Sequence, residues 1–89
     1  AGAVLPLDRG SGGKVLRGET GRGGWAQSVA EREAGVASVS APIVDASGVV
    51  VAAVGVSGPI ERLGPEPGER YGAAVVAAAR DIERLAGLT

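Results

Sequence analysis

A chain of 89 residues with nine Lys plus Arg against ten Asp plus Glu carries a formal charge of −1, which allows one small domain and offers no basic surface for nucleic acid. Cysteine and histidine are both absent, so disulfides, thiolate and imidazole catalysis, Ser-His-Asp triads and most transition-metal sites are excluded. The apolar 45% includes one Trp, one Tyr, no Phe and no Met, so the core is built from small and β-branched side chains, tight but shallow.

A chain this short buries only about 60–65% of its unfolded surface, so contacts from a partner or from further chain are expected. No run of about 18 apolar residues exists and no signal-peptide series opens the chain, so the expectation is a cytoplasmic protein with no membrane partner. Arg outnumbers Lys eight to one. The balanced, unclustered charge points to a GC-rich genome rather than a nucleic-acid surface.

In chain order, Ala3-Val4-Leu5 ends at Pro6 and resembles the tail of a strand. Asp8 to Gly13 is turn-rich and leads into Lys14-Val15-Leu16, the predicted start of a helix. Four glycines between Gly18 and Gly24 predict a mobile loop or the scar of an insertion. Trp25 to Val29 is a short predicted strand, and Ala30 to Gly35 a charged connection ended by glycine.

Val36 to Val44 and Val49 to Ser57 are β-rich runs joined by Asp45-Ala46-Ser47-Gly48, which predicts an antiparallel hairpin. If Val44 and Val49 close the turn, Val39 faces Val54, Ala41 faces Ala52 and Ile43 faces Val50 on a core face. On the other face Ser38 meets Gly55, Ser40 meets Ala53 and Ser57 meets Val36, giving a surface of small residues dotted with hydroxyls. After a short turn through Ile60 to Leu63, a helix is predicted over about Glu69 to Leu85. Its buried stripe is Tyr71, Val75, Ala78, Ile82 and Leu85, with Arg84 near its end and Gly87 just beyond. This helix should lie across the apolar face of the hairpin.

Few motifs carry chemistry. Ser11-Gly12-Gly13-Lys14 fits the S-x-x-K pattern of serine hydrolases, but the S-D-N and K-T-G partners are missing. A phosphate loop would need Gly at Asp8 and Ser or Thr at Val15. The glycine-rich turn is either a plain turn or a set of backbone N–H groups suited to a small carboxylate or phosphate. Arg22-Gly23-Gly24 is loop, and Glu31-Arg32-Glu33 a solvated connection. Ser38, Ser40 and Ser57 are either polar residues on a wet sheet face or hydroxyl donors in a cavity; the small residues beside them leave room for a ligand.

Pro6-Leu7 with Gly13-Lys14, then Gly24-Trp25-Ala26-Gln27-Ser28 with Glu31 and Gly35, Val36 to Pro42, and Val56-Ser57-Gly58-Pro59 together resemble the IclR family of bacterial transcription regulators. The likeness lies in the C-terminal effector-binding domain and runs from Leu5 to Leu85. It implies an α/β (α+β), GAF/PAS-like sensor domain, a largely antiparallel twisted sheet with a central hairpin flanked by helices. The whole of 1–89 is then part of that domain, and the family's N-terminal winged helix-turn-helix is absent. Between Gly18 and Gly23 the sequence is shorter than family members, which carry a helical stretch there; residues omitted at that point are the expectation.

The resemblance further implies a pocket for a small organic acid, with effector-binding positions at Ser11, Gly12, Gly13, Ser28, Ser38, Gly55 and Ser57. Some members carry Asp, Cys and Ser where this chain has Ser28, Ser38 and Gly55, so no metal is expected, and no cofactor. The function implied is ligand sensing in a regulator, not catalysis. DNA would be bound only through the missing domain, and the partners would be the effector, likewise a carboxylate, and copies of the chain in a homodimer or homotetramer. The alternatives are a sensor-like module kept only as an oligomerisation surface and a hydrolase using Ser11 and Lys14.

Overall fold

A computed structural model of the chain describes residues 10–30 and 34–88. The Ala3 to Leu5 strand tail, the Asp8 position and the Glu31-Arg32-Glu33 cluster lie outside them. The order is α1 (Gly10–Leu16), β1 (Ala26–Val29), β2 (Val36–Val44), β3 (Val50–Pro59), α2 (Ile60–Leu63) and α3 (Pro67–Leu85). The strands form one antiparallel sheet with β2 in the middle. Alternation along β2 separates two faces. Val39, Ala41 and Ile43 pack on Val75 and Ala79 of α3, whereas Ser40, on the opposite face, meets Ser11 of α1.

The predicted helix over Lys14 to Leu16 begins earlier, at Gly10, so Ser11, Gly12 and Gly13 belong to its first turns instead of a turn before it. Glycine lowers helix propensity by roughly 1 kcal/mol per residue. Packing outweighs it here: Ser11, Gly13 and Val15 are buried against the sheet. Gly18 at φ +78° ends α1. The Gly18 N–H donates to Val15 O and the Glu19 N–H to Lys14 O, the two bonds of a Schellman cap. The glycines that follow make a hydrogen-bonded turn. Gly21 N–H donates to Trp25 O, Gly24 N–H to Gly21 O, and Gly23 lies against the Trp25 ring.

The hairpin forms as predicted, but with another register. Asp45 and Val49 close it: the Asp45 N–H donates to Val49 O, Gly48 N–H to Asp45 O, and Asp45 Oδ1 accepts from the Ser47 and Val49 N–H groups. Gly48 at φ +83° completes a type I turn with a left-handed third residue. A bulge follows, for Val44 pairs with Val50 but Ile43 with Ala52, leaving Val51 over. Together these move the pairing by two residues, so Val39 faces Val56, Ala41 faces Val54, Ser40 faces Gly55 and Ser38 faces Ser57. A shift of two preserves the faces, because side chains alternate with period two.

Helix α3 has Pro67 at its first position and Glu69 in its first turn, both favoured there. At its end Gly87 N–H donates to Arg84 O and Leu88 N–H to Glu83 O, a second Schellman cap. Its buried stripe is Gly68, Gly72, Val75, Ala79 and Glu83. Of the predicted stripe only Val75 is fully buried; Tyr71 and Ala78 are half-buried, Ile82 is 37% exposed and Leu85 83% exposed. The helix is rotated because its tightest contacts are a glycine pair under Trp25 and the buried Glu83 carboxylate, whose partner Arg80 is exposed. The Glu83 carboxylate accepts from the Val44 N–H at 2.8 Å and pairs with Arg80 Nε at 2.8 Å, and Arg80 also donates to Pro42 O.

Candidate functional site

Pairing Ser28 with Ser38 and Ser38 with Ser57 aligns three serines across all three strands on one face of the sheet. Directly opposite residues on one face have Cβ atoms about 5 Å apart, so the three hydroxyls make a row. The neighbouring row is Ala26, Ser40 and Gly55. Helix α1 lies on this face and touches every strand. Burial grades along the serine row: Ser28 is 3% exposed, Ser38 half-buried and Ser57 exposed. The face is thus covered at β1 and open at β3.

Ser11 is 2% exposed, and its Oγ lies 2.7 Å from Ser40 Oγ in a buried hydrogen bond. That bond fixes α1 over the sheet. Gly55 makes room for it: a Cβ at 55 would strike Ser40 Oγ and the Val39 carbonyl oxygen. Gly12, by contrast, has open space where its Cβ would be. Lys14, three residues after Ser11, sends its Nζ to the Gln27 carbonyl oxygen at 2.7 Å.

The structure therefore places Ser11, Ser28, Ser38, Gly55 and Ser57 on or against one face, with Gly12 half-buried and Gly13 buried on α1. Ser40, one of the three hydroxyls read as facing either water or a cavity, was not among the binding positions that the resemblance implied; it lies on this face and bonds to Ser11. Gln27 had no spacing signal. Its side chain lies on the α3 side, with Oε1 accepting the Gly68 N–H at 2.9 Å and Nε2 donating to Glu66 Oε2 at 2.9 Å.

Chemically the face offers neutral hydroxyls and one amine, Lys14. No group of three or more His, Cys, Asp or Glu side chains placed to hold a metal occurs among the described residues. At the C-terminal end of α1 the exposed Glu19 carboxyl is held below its ordinary value by the hydrogen bond from Arg17. No helix among the described residues is long and apolar enough to cross a membrane.

The family model described as bacterial transcriptional regulator IclR C-terminal matches residues 18–84. Ser28, Ser38, Ser40, Gly55 and Ser57 fall inside that span, and Ser11, Gly12 and Gly13 precede it. A glycerol operon regulatory protein of Streptomyces griseus is 51% identical over 43 residues, which is 48% of this chain and 17% of that protein. Among solved structures, an IclR-family transcriptional regulator from Rhodococcus sp. superposes with a TM-score of 0.62 at 35% identity over 74% of this chain and 27% of that one. A second transcriptional regulator, from Rhodococcus sp. RHA1, gives 0.63 at 39% identity over 68% and 25%. The chain thus spans about a quarter or less of these relatives. The shared architecture is the α+β, GAF/PAS-like class, a sheet between helices.

Proposed function

Because the chain belongs to the IclR C-terminal family of bacterial transcriptional regulators, we propose that it is part of the effector-sensing domain of a one-component regulator, with the serine face under α1 as its ligand site. The effector is a small organic acid or related metabolite. The hydroxyls of Ser38 and Ser57 donate to its carboxylate, Ser11, Ser28 and Ser40 line the covered end, and the small residues around Gly12, Gly13 and Gly55 set the space. The single observation that supports this reading most is the row Ser28, Ser38 and Ser57, buried at one end and open at the other.

In this reading the whole protein is cytoplasmic and acts as a homodimer or homotetramer. DNA is bound by a separate winged-helix domain, and the effector acts by binding one arrangement of the subunits better than another. The test is a thermal-shift screen of the whole protein against small carboxylates, from glyoxylate and pyruvate to aromatic and dicarboxylic acids. The name of the Streptomyces relative adds glycerol to that panel. A ligand that binds only the native state raises its midpoint. One chemical class of hits supports the sensor.

The Ser11–Ser40 hydrogen bond favours a second reading, in which the hydroxyls satisfy one another and the module serves only as a subunit contact. A well-folded protein whose midpoint no compound moves supports that reading and removes the first.

A further inference from the structure

Gln27 makes contact on both sides of the sheet. On the site side its backbone carbonyl takes the Lys14 ammonium from α1; on the other side its amide group takes the Gly68 N–H and gives a hydrogen bond to Glu66. The Gly68 N–H is among the first four of α3, which have no partner within the helix. Glu66, at the N-cap, supplies no side-chain cap of its own. Gln27 therefore caps α3 from another element while holding α1 through its main chain.

We propose that Gln27 is a relay between the two helix layers, through which the position of α1 sets how firmly the first turn of α3 is held. This deepens the effector reading and rests on it, since the relay regulates that site only if a ligand there displaces α1. The physical basis is the steep distance dependence of the contacts. A displacement of α1 by about 0.5 Å takes a 2.7 Å hydrogen bond to the outer edge of the favourable range. Strand β1 then loses one of the contacts that hold it from the site side. Gln27 carries its side chain on the same backbone, so any shift of β1 moves the cap. Trp25, two residues before it and next to the start of β1, rests on Gly68 and Gly72 of the same helix, so both of these contacts to α3 move together.

Amide hydrogen exchange on the full chain tests the relay without any ligand. Gln27→Ala removes the cap directly and should speed exchange of the Gly68 amide by about two- to tenfold, the effect of losing one hydrogen bond. The decisive variant is Lys14→Met, which removes the ammonium that reaches the Gln27 carbonyl and changes no residue of α3. It should speed exchange at Gly68 and Glu69 by about twofold or more while Val75, Ala79 and Glu83 stay unchanged, with Lys14→Arg restoring part of the protection. Ser11→Ala, which removes the hydrogen bond from α1 to Ser40, should act in the same direction and serves if Lys14→Met does not fold. Unchanged exchange at Gly68 and Glu69, or a uniform rise along the whole of α3, overturns the relay. An empty ligand screen beside the expected exchange pattern would remove the effector reading and leave the relay standing; hits in the screen with no change at Gly68 would do the reverse.

Discussion

The Trp25 indole lies on the backbone of α3 at Gly72, where a Cβ would come within 2.6 Å of ring atom Cδ1. One turn earlier, a Cβ at Gly68 would come within 2.6 Å of Cε3. Two glycines four apart thus make a flat seat on the helix for the chain's one Trp. Gly72→Ala should destabilise the protein although alanine is the better helix former. The propensity gain of roughly 1 kcal/mol is opposed by overpacking of about 1–3 kcal/mol, because the ring lies on the α3 backbone at Gly68 and Gly72 and against Gly23 as well. Gly12→Ala, in α1 with open space at its Cβ, should be neutral or stabilising by up to about 1 kcal/mol. Chemical denaturation of the two variants, with opposite signs, checks the packing argument; equal signs would sink it.

That seat also explains which parts of the fold the sequence disclosed. The strands, the hairpin and the last helix follow from alternation, from Asp45 to Gly48 and from the approach to Gly87, all local signals. The rotation of α3 is not local: its buried stripe is made by Gly68, Gly72 and Glu83, none of which registers as apolar. Register was missed by two residues because the turn closes at Asp45 and Val49, one residue off the expected pair, and the bulge at Val51 adds a second, while the faces were right because two residues is a full period. The serines of the candidate site were legible by parity. The bond joining Ser11 to Ser40 was not, since 29 residues separate them.

Gly55 is expected to tolerate no side chain. Its missing Cβ is what leaves Ser40 Oγ and the Val39 carbonyl in place, and Gly55→Ser should cost about 1–3 kcal/mol by forcing strands β2 and β3 apart. Loss of protection of the Ser40 amide, measured by exchange, would accompany it. A variant as stable as the parent would show that β3 shifts freely.

Glu83 and Arg80 tie α3 to the end of β2. Glu83→Ala leaves the Val44 N–H and the Arg80 guanidinium without their carboxylate, a loss of about 2–4 kcal/mol. Arg80→Ala alone leaves a carboxylate that is 3% exposed without its cation. The double variant should therefore be less destabilised than the sum of the two single ones, a coupling that a double-mutant cycle on unfolding free energies measures. Additive losses would mean that the two side chains act independently.

The pH dependence at Glu19 has a definite sign. Its carboxyl is held low by Arg17, so the contribution of this pair is fully present above the ordinary value of 4.5 and is lost as pH falls through the lowered one. The pair is solvent-exposed, so the effect is small. Glu19→Gln should lower stability slightly at neutral pH, leave it unchanged in strong acid, and so flatten the acid limb of the stability curve. A variant that changes stability in strong acid but not at pH 7 would contradict the assignment.

The serine row separates packing from binding. Ser28 is buried, so Ser28→Val changes a packed position and should lower stability by about 1–3 kcal/mol through overpacking. Ser57, at the open end, is exposed, and Ser57→Val should leave stability within about 0.5 kcal/mol of the parent, or raise it slightly, since valine suits a strand. If the hydroxyls hold a carboxylate, the same Ser57→Val protein should lose most of the midpoint shift that a bound acid gives the parent, because one donor to the ligand is gone. Thermal shifts of both variants, with and without a ligand found in the screen, decide the matter. A Ser57→Val protein that keeps the full shift would move the ligand away from the β3 end of the row and toward α1.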